Sequence, residues 1–110
     1  MKTIDVNLWC NLGGGDGDNY EDTIEVTDQE YETIVNLIKE YKSQVPQDEW
    51  AGEVFTGNWL EERAADLYKK LDKITTELQK ESMEYNGLDE DEIEYADLGF
   101  YITLEFIERI

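Results

Sequence analysis

Apolar and polar residues alternate through residues 3–12, TIDVNLWCNL. Ile4, Val6, Leu8 and Cys10 fall on one side, and Asp5, Asn7, Trp9 and Asn11 on the other. A period of two is the mark of a half-buried strand. The run GGGDGDN that follows is rich in residues that tolerate positive φ, and it predicts a hairpin tip. EDTIEVT then resumes the alternation, with Ile24 and Val26 inward and Thr23, Glu25 and Thr27 outward. TDQE, residues 27–30, is a capping box in which the Thr27 hydroxyl accepts from the Glu30 backbone N–H and the Glu30 side chain answers. A helix is therefore expected from there to about Ser43, with an apolar stripe of Tyr31, Ile34, Val35, Ile38 and Tyr41, before Pro46 forbids continuation.

Residues 45–57 have no clean period, and Trp50, Val54 and Phe55 are expected to plug the core from a short turn or helix. Asn58 is placed to cap a second, long helix. Its apolar positions Leu60, Ala64, Leu67, Leu71, Ile74 and Leu78 follow heptad spacing. Such a seam serves either a sheet within the domain or a coiled-coil partner; three heptads are short, which favours the sheet. Gly87 is a suitable stop. In FYITLEFIERI, Phe100, Ile102, Leu104 and Phe106 alternate with Tyr101, Thr103, Glu105 and Ile107, which predicts a final strand, central or well covered. The expected fold is α+β: one domain over residues 1–110, with a mainly antiparallel three-stranded sheet packed against two helices, the second long. For 110 residues the scaling rule gives a radius of gyration of about 13 Å.

Composition changes this picture mainly through charge. Twenty-eight Asp and Glu face nine Lys and Arg, a net charge of −19. Nucleic acid and membrane surfaces are poor partners for such a chain, while basic protein surfaces are good ones. Acidity also aids solubility, and that reading stays open. No stretch is apolar enough for a signal peptide or a membrane span. A single cysteine, Cys10, fits a reducing compartment, so a cytoplasmic location is expected.

The charge is uneven. Arg63, Lys69, Lys70, Lys73 and Lys80 sit on the second helix, where Asp66–Lys70 and Glu77–Lys80 form ordinary pairs. From Asp5 to Glu32 there are nine carboxylates and no cation, and from Glu81 to Asp97 eight and again none. LDEDEIEYADLG alone holds Asp89, Glu90, Asp91, Glu92, Glu94 and Asp97. If the final strand pairs with the first, the two anionic stretches meet. Trp9 and Tyr101 fall on the non-core side of their strands with Asp5, Glu25 and Glu105, as aromatic anchors of an interface do.

Several chemistries are set aside. The chain has no histidine, so the commonest general base and zinc ligand are missing. Cys10 stands on the apolar side of its strand, and Ser43 and Ser82 have no base in view. GGGDGD lacks the Lys-Ser/Thr of a phosphate loop. DGDNYEDTIEVT begins like a calcium loop but carries Tyr20 at position five, Glu21 at position six and Thr27 at position twelve, leaving only a weak site at Asp16, Asp18 and Asp22. No enzyme activity, cofactor or metal is expected.

In size and charge the chain resembles the small acidic inhibitors of phages and mobile elements, among them anti-restriction and anti-CRISPR proteins that occupy a nucleic-acid groove. The likeness implies a basic, nucleic-acid-binding protein as partner. Asp89, Glu90, Asp91, Glu92, Glu94 and Asp97 would stand in for phosphates, Asp16, Asp18, Glu21, Asp22 and Glu25 would extend the surface, and Trp9 and Tyr101 would anchor it. An assembly module built on the heptad helix and an immunity protein neutralising a basic toxin are the alternatives.

Overall fold

The computed structural model describes residues 1–11, 18–94 and 96–110. Strand β1 (Lys2–Asn11) lies at the centre of an antiparallel sheet of order β2-β1-β3, between β2 (Asp18–Val26) and β3 (Asp97–Ile102). The register pairs Ile4 with Ile24, Val6 with Ile102 and Leu8 with Phe100. All six side chains are buried on one face, beneath α1 (Asp28–Gln44) and α4 (Ala65–Tyr85). The fold is thus α+β, with helices on a three-stranded antiparallel sheet. The molecule measures 44 × 30 × 22 Å with a radius of gyration of 14.7 Å, more extended than the sphere-like scaling expects.

Helix α1 begins as its sequence dictates. Thr27 Oγ1 accepts from Glu30 N at 3.1 Å, and Glu30 Oε1 accepts from Thr27 N at 2.8 Å. Ile34, Ile38 and Tyr41 are fully buried. The Tyr41 hydroxyl accepts from Ala51 N at 3.1 Å and so ties the following loop to the helix. Trp50 Nε1 donates to Val45 O at 2.8 Å, and Phe55 is fully buried. Val54, expected in the core, is instead 42% exposed.

The second helix departs from expectation. Helical backbone begins at Gly52, with α2 (Gly52–Val54), a π-helical turn (Phe55–Leu60) and α3 (Glu61–Arg63), so Asn58 lies inside a turn and caps nothing. The chain breaks at Ala64 (φ −138°, ψ 58°) before α4. Position 64 interrupts the heptad register, and α4 buries Leu71, Thr75, Gln79 and Met83, a straight i, i+4 stripe. Leu78, the last residue of the proposed seam, is 37% exposed, while Leu60 and Leu71 are fully buried in the domain's own core. Lys70 also leaves its expected partner Asp66 and reaches across to Glu30 of α1 at 2.7 Å. Gly87 ends α4 at φ +84°, with Gly87 N donating to Glu84 O and Leu88 N to Met83 O, the two bonds of a Schellman stop.

The last element is also different. β3 stops at Ile102, and Thr103 Oγ1 accepts from Phe106 N at 3.2 Å to start α6 (Leu104–Arg109). Phe106 and Ile107, expected on opposite faces of a strand, are both buried on one side of this helix. Over so short an apolar run the two periodicities overlap.

β3 is an edge strand, and its outer edge is covered. Ile102 N–H, turned away from β1, donates to Thr56 Oγ1 of the π turn at 2.9 Å. Gly52 approaches so closely that an added Cβ would collide with the Ile102 carbonyl oxygen. Covering an edge in this way removes a template for unwanted strand pairing, and it brings Glu53 beside Tyr101.

Candidate functional site

The sheet face opposite the helices is uncovered. Alternation places Thr3, Asp5, Asn7, Trp9 and Asn11 of β1 there. By register they stand beside Glu25, Thr23, Glu21 and Asn19 of β2, and Tyr101, Gly99 and Asp97 of β3. Trp9 is 37% exposed; its indole lies over Gly99, where a Cβ would strike the ring. A glycine in β3 therefore seats the aromatic flat on the neighbouring strand.

Carboxylates surround the two aromatics. Tyr101 and Glu53 line one shallow cleft with Trp9, Cys10, Asn11 and Asn19. A second cleft joins Tyr101 and Asn7 to Glu21, Leu104, Glu105 and Glu108, and a third holds Asp5, Glu21, Thr23, Thr103 and Glu105. The Tyr101 phenol is pushed above its ordinary pKa, first by burial and then by the nearby Glu53 and Glu21 carboxylates. It remains a protonated donor at neutral pH. Asn7 Oδ1 is buried at the centre of this face with no hydrogen-bond partner. An unsatisfied acceptor of this kind favours an incoming N–H donor.

The cations lie elsewhere. Lys70 pairs with Glu30, Arg63 stacks on Trp59 at 3.9 Å, Lys42 lies over Trp50 at 5.0 Å, and Lys2 lies over Tyr31 at 5.7 Å. Lys39, Lys69, Lys73 and Lys80 ride on α1 and α4. No strand position on the open face is a lysine. Arg109 and Lys42 reach its margin: Arg109 Nη2 is engaged by Asp5 Oδ2 at 2.7 Å, and Lys42 Nζ donates to the Glu108 carbonyl oxygen at 3.3 Å.

Of the residues singled out from sequence, Trp9, Tyr101, Glu21, Glu25 and Asp97 share this face. Asp22 pairs with Val6 and so belongs to the other register, although it borders the third cleft from the exposed outer strand. Asp18 opens β2 opposite Cys10. Asp16 lies outside the described residues, while the rest of the calcium-loop-like stretch from Asp18 to Val26 is strand β2. β3 does pair with β1, which brings Asp97 beside Asn11. Asp89, Glu90, Asp91, Glu92 and Glu94, in contrast, lie on and just before α5 (Glu90–Glu94), which is anchored by buried Ile93 and packs on α4. They form a second, separate anionic patch. Glu53 and Glu108 join the open face only through tertiary placement, whereas Asn7 shares the alternation of Trp9 and was legible from it.

Compared with protein-family models, curated proteins and solved structures, the chain matches none. Among the described residues no group of three or more Cys, Asp or Glu is arranged to hold a metal ion. No described helix is long and apolar enough to cross a membrane.

Proposed function

We propose that this protein is a non-enzymatic cytoplasmic inhibitor that presents its open sheet face to a basic, nucleic-acid-binding protein. One observation carries the reading: Trp9 and Tyr101 sit among Glu21, Glu53, Asp97 and Glu105, with Glu25 further along β2, on a sheet face where no strand position is a lysine.

Magnitudes divide the work between charge and rings. Duplex DNA carries one charge per ~1.7 Å, so about 26 phosphates span the 44 Å long axis. The whole chain carries a net −19, and the open face only part of that. Charge therefore supplies steering and competition with nucleic acid, and the carboxylates beside the two rings also hold the partner's cations once it is seated. The half-exposed aromatics, desolvated on contact, supply persistent affinity.

The test uses the immobilised full chain as bait in a host lysate, with salt elution and competition by duplex DNA or RNA. A face variant, E21Q/E25Q/E53Q/E105Q, is expected to lose the captured protein. An α5 variant, D89N/E90Q/D91N/E92Q/E94Q, should retain it and elute at lower salt. Equal capture by all three baits would remove the acidic face from the account. Capture that nucleic acid does not compete would leave an interaction protein without mimicry.

A further inference from the structure

We propose that the cleft between the β1–β2 pair and the C-terminal half of α4 is a binding site for a small, neutral aromatic heterocycle that donates one N–H hydrogen bond. The cleft has a volume of about 320 Å³ and is lined by Cys10, Asn19, Tyr20, Gln79, Ser82, Met83 and Leu88. It lies on the helix side of the sheet, because Tyr20 is the cross-strand partner of buried Leu8. It shares Cys10 and Asn19 with the Trp9–Tyr101 cleft across the sheet but opens on the other side, and it does not depend on the function proposed for the acidic face.

The strands explain why a cleft exists there. On the helix side, β2 is apolar only at Ile24 and Val26, and the same face continues through Asp22 and Tyr20. The core recedes at that point, and Tyr20 is left 41% exposed. On the opposite wall, Gln79, Ser82 and Met83 form an i, i+3, i+4 group on α4, and the Schellman stop at Gly87 returns Leu88 beside Met83.

Gln79 points to the ligand. It is 2% exposed, yet only half of its amide is satisfied. Nε2 donates to Trp9 O at 2.9 Å, while the buried Oε1 has no partner. The amide cannot be turned to relieve this, since a flip would set oxygen against oxygen at Trp9. A buried acceptor left without a donor is destabilising, so a donor entering the cleft gains what the free protein lacks. Oε1 is itself shielded from solvent, so an entering donor must shift a lining side chain, and the unbranched thioether of Met83 is the most adaptable of the seven.

The lining fixes the rest of the class. None of the seven side chains is charged at neutral pH; the Tyr20 hydroxyl is kept protonated by burial and then by nearby Asp22 and Cys10. An anionic ligand would lose its hydration and face the Asp22 carboxylate beside Tyr20. The Tyr20 ring, the Met83 thioether and Leu88 favour a flat aromatic body. The volume, at the low end of the roughly 300–1,000 Å³ of ligand pockets, suits one or two fused rings.

Indole and 1-methylindole, which share the bicycle but differ in the N–H, test this on the isotope-labelled full chain by NMR. Indole at millimolar concentration is expected to shift the Gln79 side-chain amide, Tyr20 and the Met83 methyl saturably. 1-Methylindole should bind about tenfold more weakly, the equivalent of one hydrogen bond. In Gln79→Met the two probes should bind alike. No saturable shift with indole, or equal affinity of both probes for the unaltered protein, would overturn the proposal. The comparison on the unaltered protein stands even if the variant fails to fold.

Discussion

Replacing Thr56 with valine removes one hydroxyl and little volume, and its consequence follows from the edge of β3. Thr56 is 3% exposed and Ile102 fully buried, so water cannot take over the Ile102 N–H that Thr56 Oγ1 now accepts at 2.9 Å. An orphaned buried donor costs about 1–3 kcal/mol, and the extra buried methyl returns up to about 0.8 kcal/mol. The unmade bond wins, and a net loss of about 1–2 kcal/mol is expected. Unfolding entropy near 2.1 cal/mol/K per residue gives about 0.23 kcal/mol/K for 110 residues. The melting temperature should then fall by roughly 4–9 °C, with an unchanged denaturant m-value. Thr56→Ser serves as control: it loses a methyl and some stability but keeps the acceptor. Two-dimensional NMR distinguishes them, because the Ile102 amide should exchange faster and move upfield in the valine variant only. A valine variant as stable as the parent, with a protected Ile102 amide, would refute the claim that the π turn satisfies this edge.

Three further outcomes follow from the same physics. Tyr41→Phe, which removes the hydroxyl of a fully buried ring that accepts from the partly buried Ala51 N, should cost about 1 kcal/mol in urea unfolding; no change would mean that the 45–51 loop does not depend on it. Lys70, and then the Thr27 backbone N–H, hold the Glu30 carboxyl below its usual range. The unfolded chain therefore takes up that proton first as pH falls: the pair's stabilisation is complete above the unfolded glutamate value and is lost through the lower folded one. Glu30→Gln should flatten the acid limb of the melting curve against pH, modestly because Lys70 is 53% exposed, and an unchanged limb would contradict the pairing. With a net charge of −19, raising NaCl from about 0.01 M to about 1 M shortens the Debye length from about 30 to about 3 Å and should raise the melting temperature by several degrees; a fall would show that self-repulsion is not the dominant charge effect.

Much of this architecture is legible residue by residue where the determinants are local. The Thr27–Glu30 box, the two alternating strands and the left-handed stop at Gly87 each depend on neighbours within a few residues, and each stands where expected. The outward placement of Trp9 and Tyr101 followed from alternation alone. What escaped depends on long-range packing. Leu104, Phe106 and Ile107 satisfy both a strand and a helix, and the Thr103 cap decides between them. Ala64 reads as a seam position but breaks the helix. Thr75 and Gln79 are polar, so the buried stripe of α4 is concealed behind a more conspicuous heptad. The acidic run divides because Ile93 docks α5 on α4 while Asp97 enters the sheet, a division that composition does not reveal.

On the proposed function, the partner meets the open sheet face and not the acidic α5. The most direct measurement is an NMR titration of the labelled protein with its captured partner, following the indole N–H of Trp9, the ring of Tyr101 and the amides of residues 89–94. Trp9 and Tyr101 are expected to shift and broaden together, with the 89–94 amides little changed. Shifts confined to residues 89–94, with the Trp9 indole unmoved, would contradict it.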